Sequence, residues 1–277
     1  MAIPPYDIAM TVINAAKVRL NDKIETLATI GGKILDNTQP FTQQLFNGGW
    51  RKLQEYLADL GYTGLKQEIT YTAVPAAAVT DPATQVYISY AGYWDGNTLQ
   101  AAPLLPQNLI RPYKLWERAN GSAALMTEMD VVLNGLPAVP KMNWNRQWEW
   151  RDDILYMPGS LVVTDIRVRF AGAFADMADV AGSPGPNQLA NTPWYGQPVP
   201  IMRCTDALAD YCCREVCVAR GDMEGATVFQ ASAEANAHKI VNRDTADPKG
   251  VFKASELGKM GDKYTPGAGF DGQLVKR

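Results

Sequence analysis

Histidine is nearly missing from this chain: His238 stands alone among 277 residues. The commonest general base and metal ligand is thereby confined to one position, which disfavours most histidine-dependent hydrolases and metalloenzymes. Cysteine is sparse as well. Four occur, three of them crowded at Cys212, Cys213 and Cys217, unlike the evenly spread framework of a secreted disulfide scaffold, so a reducing cytoplasm is the expected folding compartment. A cationic excess is absent. With 26 Lys and Arg against 29 Asp and Glu, the net charge is -3, and nucleic-acid binding by phosphate neutralisation over the whole body is not expected. No run of about 18 apolar residues occurs, and Met1-Ala-Ile-Pro-Pro-Tyr-Asp lacks a basic stretch followed by an apolar one. Neither a membrane span nor an export signal is expected. A glycine-rich phosphate loop, a Gly-x-Ser-x-Gly elbow and a His-Glu-x-x-His pair are also missing, so nucleotide, serine-hydrolase and zincin chemistry lack their starting residues.

What is present is enough apolar material, 47% of the residues, to fill a core. Met10, Ile13, Leu20, Ile24 and Leu27 fall at three-four spacing and predict a helix over 7–30, ended or bent by Gly31-Gly32. A second helix is expected from Thr38, with Pro40 in its first turn and Phe46, Trp50, Leu53, Leu57 and Leu60 on one face, weakened by Gly48-Gly49 and stopped by Gly61. From Leu65 the period falls to two. Strands are expected over 85–90, 110–118, 147–151, 154–157 and 164–171, and Trp148 to Met157 reads as a hairpin turning at Arg151 to Asp153. Ile166, Val168 and Phe170 alternate with Asp165, Arg167 and Arg169, as one buried and one solvated face require.

Five prolines and three glycines between 182 and 200 predict an ordered surface loop or a crossing linker. Helices are expected again from Thr205 to Arg220 and from Glu224 to Asn242, the latter with Ala226, Phe229, Ala233, Ala237 and Ile240 on one face. The final stretch, 246–277, has six glycines, six Lys or Arg and isolated Phe252, Tyr264 and Phe270, without an amphipathic period; such a tail does not fold alone. The expected class is therefore α+β: residues 1–64 and 201–245 form a helical bundle, 65–172 are an inserted antiparallel β domain, 173–200 are a Pro/Gly-rich loop and 246–277 an extended tail.

Chemistry-bearing residues do not assemble into a reaction at this level. His238 has no acid or nucleophile near it in sequence and is expected at a polar surface. Cys213 and Cys217, at i and i+4, offer half of a zinc site, but buried reduced thiols in a helix interface are the better reading. Asp152-Asp153, Glu117, Glu128 and Asp130 are the carboxylates available for glycoside cleavage, although an Asp pair at a hairpin tip is ordinarily a turn former. No catalytic residue, metal or cofactor is called for. Among the seven tryptophans, Trp148 and Trp150 point to one side of a strand and are read as core, whereas Trp94, beside Asp95-Gly96, and Trp194, in the proline-rich loop, are candidates for exposure and partner contact, the alternative being that each anchors its loop to the body.

The N-terminal helical pair ending in Gly49-Trp-Arg-Lys-Leu-Gln-Glu-Tyr-Leu-Ala-Asp-Leu-Gly61, the stretch Leu105-Pro-Gln-Asn-Leu-Ile-Arg-Pro-Tyr-Lys-Leu-Trp-Glu-Arg118, and Trp148-Glu-Trp-Arg-Asp-Asp-Ile-Leu-Tyr-Met-Pro-Gly159 carry a resemblance. With Asp165-Ile-Arg-Val-Arg-Phe170 and the helix around Ala209 to Glu215, the layout over most of 7–245 resembles the tailed-phage head-to-tail connectors, the adaptor or tail tubular protein A kind. The resemblance implies a virion protein of the neck, made in the host cytoplasm. It would form a ring of about twelve identical subunits beneath the portal protein and above tail or nozzle proteins, with DNA passing through the lumen and no catalysis, no specific DNA binding and no membrane contact. Phe252, Tyr264 and Phe270 would anchor the tail on a neighbour. The size of the β segment and the long proline loop depart from that pattern and leave a collar or other neck role open. A carbohydrate-binding virion or surface module using the β-segment tryptophans is the alternative, and it requires two exposed rings facing the same way. A carboxylate-dependent cell-wall hydrolase would require two carboxylates in one cleft.

Overall fold

The computed structural model describes residues 7–20, 40–182 and 189–245. Four helices, α1 (Ala9–Arg19), α2 (Pro40–Asp59), α3 (Thr205–Arg220) and α4 (Met223–Thr245), flank nine strands in the order of the chain. These are β1 (Lys66–Val74), β2 (Val86–Ile88), β3 (Tyr93–Trp94), β4 (Leu99–Gln100), β5 (Leu109–Ala119), β6 (Thr127–Val131), β7 (Gln147–Arg151), β8 (Ile154–Met157) and β9 (Thr164–Gly172). The part of the first predicted helix beyond Leu20, Gly31-Gly32 and the tail 246–277 lie outside the described residues.

Helix α3 is the hub of the helical layer. It buries Leu208, Cys212 and Val216 as its period predicts, and also Ala207, Ala209, Tyr211, Cys213 and Cys217, because α1, α2 and α4 all pack around it. Its carboxylate Asp210, 3% exposed, is answered from two helices: Arg19 of α1 at 3.0 Å, and Ser232 and Asn236 of α4, which donate at 2.8 and 2.9 Å. A buried charge so surrounded fixes the register of three helices. Gly221, at φ 78, closes α3 in the left-handed conformation, and Asp222 N–H returns to the Cys217 carbonyl at 2.9 Å.

Helix α2 carries two stripes. Phe46, Trp50, Leu53 and Leu57 are at most 1% exposed in the helical core. Beside them, Gln43, Asn47, Trp50 and Gln54 grip the backbone of 174–177: Gln43 and Asn47 donate to the Met177 carbonyl, Asn47 accepts from Met177 N–H, Trp50 Nε1 donates to Ala175 and Gln54 accepts from Phe174 N–H at 2.6 Å. Residues 174–177 are thus strapped across α2, and their polar backbone is satisfied by side chains in place of a sheet.

The sheet order is β1-β9-β5-β6-β7-β8-β2-β3-β4. Every ladder is antiparallel except β6 with β7, which run parallel. The expectation of a helical bundle with an inserted antiparallel β domain is corrected on this point: the molecule is α+β, but a nine-stranded, mixed, curled sheet of half-barrel form dominates it, and the helices flank that sheet. The physical reason is long-range pairing. The last strand, β9, inserts between β1 and β5, and the two- and three-residue strands β2, β3 and β4, too short to show a period, extend the sheet until it curls. The concave side has its own core of Val86, Ile88, Tyr93, Leu115, Trp148, Leu155, Met157, Ile166 and Val168, separate from the helical core.

The strands also have two unlike ends. Lys66 pairs with Ala171 and Leu109 with Gly172 beside the helices, where Tyr113 donates to the Ala58 carbonyl at 2.8 Å and Arg111 pairs with Asp59 at 2.6 Å. At the far end Val74 and Ala119 both face Thr164, and the loops that follow carry no helix.

Candidate functional site

The far-end loops form an apolar rim. Leu161 N–H donates to the Met142 carbonyl at 2.7 Å and Asn120 N–H to that of Val163 at 3.0 Å, which brings three loops together. On them Met142, Trp144, Leu161 and Val163 are 36–45% exposed, and Leu125, in the loop before β6, is 92% exposed. Large side chains kept half in water on well-paired loops make this end a candidate contact surface. The rim is held from beneath by Glu117, 2% exposed, whose carboxylate accepts from Asn145 and Arg146 backbone N–H at 2.8 and 2.7 Å.

Trp94, a predicted contact residue, is half-buried on the convex face at the end of β3. It stacks on Tyr87, centroids 6.1 Å apart and planes 14° apart, and Tyr87 leans on Tyr156 at 5.5 Å. Register makes this row, for Tyr87 pairs with both Trp94 and Tyr156. The Arg151 guanidinium lies 4.5 Å over Tyr156 and closes one end.

Trp194, the other tryptophan expected at the surface, is corrected: it is 4% exposed in the helical core, tilted on Phe46 at 5.5 Å, with its backbone N–H held by Asp179 at 2.8 Å. The proline-rich loop is anchored by it. Trp148 is 3% exposed in the concave core, with Trp150 packed against the same cluster. Phe252, Tyr264 and Phe270 lie outside the described residues.

A third surface was not singled out from the sequence. On the convex side β5 and β9 place Trp116 opposite Arg167 and Lys114 opposite Arg169, and both guanidinium groups sit over the Trp116 ring, at 4.6 and 5.0 Å. Arg169 pairs with Glu68 of β1, Lys114 with Glu128 of β6 at 2.8 Å, and Arg118 with Asp165 at 2.9 Å. Arg167, in the middle, has a buried Nε with no partner and makes no ion pair among the described residues. The alternation of Asp165, Arg167 and Arg169 was its only signal, and nothing local places Trp116 beneath them.

The remaining groups sort into ties and turns. Asp152 and Asp153, at φ 52 and 58, form the β7–β8 turn as the hairpin reading expected, with Asp152 83% exposed. They follow β7, whereas Glu117 is held at Asn145 and Arg146 just before it, and Glu117 and Glu128 are taken up by the Asn145 loop and Lys114. His238 meets the Tyr56 hydroxyl at 3.1 Å on the outside of α2 and α4. The four cysteines are free and buried, and burial pushes the Cys212 and Cys213 thiols up. No group of three or more His, Cys, Asp or Glu among the described residues is placed to hold a metal, and no described helix is long and apolar enough to cross a membrane. A cleft of ≈ 840 Å³ runs between α2 and the strap 173–177, lined by Arg51, Gln54, Gln67, Asn108 and Phe174. Its polar groups are largely spent on the strap: Asn108 donates to Gln67 and Ala173, and Arg51 pairs with Asp176. No known family and no curated protein matches the chain.

Proposed function

We propose that the chain is a structural, non-enzymatic subunit of a ring that joins a phage portal to its tail. The observation that carries this reading is the two-ended build: helices at one end of β1, β9 and β5, and an exposed apolar rim of Leu125, Met142, Trp144, Leu161 and Val163 at the other. An adaptor needs one contact surface toward the portal and another toward the tail, and the length of the strands between them sets their separation. Identical subunits joined head to tail close into a ring when the rotation closes, and portal symmetry implies about twelve copies. DNA would cross the lumen without being gripped, which suits a body of net charge -3. The test is the mass of the purified chain across a concentration series, alone and with a portal ring from the same source. A closed ring or capture by the portal supports the reading; a monomer indifferent to the portal overturns it.

A second reading, a carbohydrate-binding module of the virion, is favoured by one observation. Trp94 and Tyr87, both partly exposed, place two aromatic rings in one cross-strand row on the outer face, a side-chain type on which a sugar ring can stack. A glycan array read with the wild-type chain and with Trp94→Ala decides it. Wild-type binding lost in the variant supports this reading, and absence of binding removes it.

A further inference from the structure

The Arg167 face has what a charged docking surface needs and lacks what an internal ion-pair network has. Its neighbours are matched one to one: Arg169 by Glu68, Lys114 by Glu128, Arg118 by Asp165. Arg167 is matched by no carboxylate among the described residues, yet its guanidinium lies 4.6 Å over the Trp116 ring with Nε buried and without a partner. A guanidinium placed over a ring in this way is preorganised, and its uncompensated charge favours an acidic group arriving from outside. The same chain displays the complement. Asp152 and Asp153 sit side by side at the tip of the β7–β8 hairpin, Asp152 is 83% exposed, and the one cation near the tip, Arg151, is 3.9 Å from Asp152 and occupied by the Tyr156 ring. Strands β5 and β6 lie between β9, which carries Arg167, and the β7–β8 hairpin, and the tip lies toward the helical end while Arg167 lies mid-strand, so one copy does not join them.

We infer that the Arg167 face of one copy receives the Asp152–Asp153 turn of the next, as the charged element of a head-to-tail contact between subunits. The inference rests on the ring reading and deepens it by naming the two surfaces. Because face and tip are different patches, their contact is heterologous and propagates around a ring, whereas a self-complementary patch would stop at a dimer. Opposite charges at such a contact set register and speed of assembly and make it sensitive to salt.

Three variants test it. Arg167→Glu makes both face and tip acidic, and Asp152→Lys with Asp153→Lys makes both basic. Each alone is expected to lose on the order of tenfold in subunit association. An equimolar mixture is expected to regain it, because each acidic face then meets a basic tip. Asp152→Asn with Asp153→Asn, which keeps residues suited to the left-handed turn, should weaken association without disturbing the fold. Association is read as mass against concentration at low and high salt, with circular dichroism confirming that each variant is folded. Recovery in the mixture confirms the contact. A wild-type ring that tolerates all three variants, or folded variants whose mixture recovers nothing, overturns the contact and leaves the ring reading standing. A wild-type chain that stays monomeric, alone and with the portal, removes both.

Discussion

Glu117 and Asn145 are joined twice: one carboxylate oxygen accepts from the Asn145 backbone N–H at 2.8 Å and from its side-chain amide at 3.2 Å. The Asn145 side-chain oxygen in turn accepts from Gly159 N–H at 3.0 Å. One buried carboxylate therefore ties the β6–β7 connection to β5, and through Asn145 to the end of β8. Glu117→Ala should destabilise the fold by about 3 kcal/mol, because it leaves three buried donors unmet. Glu117→Gln, which keeps the shape and one acceptor, should cost roughly half as much. Urea unfolding of both variants is the check.

Asp95 organises the β3–β4 turn by accepting from the backbone N–H groups of Thr98 and Asn97 at 2.7 and 2.8 Å and from the side chains of Thr98 and Gln100 at 3.0 Å. The Thr98 N–H bond foremost, with the others, holds its carboxyl down from 3.8 to about 2. A carboxyl depressed in the folded state contributes stability that is present above its unfolded pKa and is lost as pH falls through the folded one. Wild-type melting temperature should therefore drop between about pH 4 and about 2, and Asp95→Asn should be less stable at neutral pH with a shallower drop across that window. Thermal unfolding from pH 2 to 7 reads both.

Gly48 and Gly49 are neighbours in α2 with opposite demands. A methyl group at Gly49 would lie 3.0 Å from the Cys212 backbone nitrogen and 3.2 Å from the Tyr211 carbonyl carbon, whereas at Gly48 it would meet only the flexible Glu215 side chain at 3.4 Å. Gly48→Ala should stabilise by about 0.5–1 kcal/mol through helix propensity. Gly49→Ala should be net destabilising despite the same gain, and Gly49→Leu should cost about 3 kcal/mol by forcing α2 from α3. Chemical denaturation of the three variants separates propensity from packing.

Trp194→Ala should cost about 3–5 kcal/mol, since it removes an indole from the helical core and releases the proline-rich loop. Trp94→Ala, on the convex face, should cost less than half of that. Comparing the two melting temperatures distinguishes an anchor from a surface ring.

Removal of residues 246–277 should leave the melting temperature of the folded body unchanged and weaken subunit association. The expectation follows from the composition of that stretch, and mass measurement beside thermal unfolding of the truncated chain checks it.

Helices and long strands were legible where one face alone decides the pattern. The stripe of Phe46, Trp50, Leu53 and Leu57 and the buried face of Ile166, Val168 and Phe170 appear as read, but Asp165, expected on the solvated face, is 2% exposed. The dominance of the sheet was not legible, because β3 and β4 are two residues each and their existence depends on partners distant in sequence. Trp194 misled for a related reason. Prolines around it speak of irregular backbone, and irregular backbone is usually at the surface, but here the Asp179 carboxylate and the Gln197 side chain satisfy that backbone, and Phe46 of α2 gives the indole a ring to pack on. Trp116 and Arg167 lie 51 positions apart and meet only through the β5–β9 ladder. Spacing along the chain carries no trace of that meeting.

The single parallel ladder has a mechanical consequence. Between β6 and β7 only Asp130 with Gln147 and Val131 with Trp148 are paired, while β5 and β9 are laced along nine residue pairs. From β1 across to β8 this is the ladder with the fewest pairs, so within that part of the shell bending stiffness is lowest along this seam, and strain imposed from outside collects there before it reaches the longer ladders on the β5–β9 side. Curvature can then be adjusted as at a hinge line, with Glu117 and Asn145 acting as the stay that limits its travel.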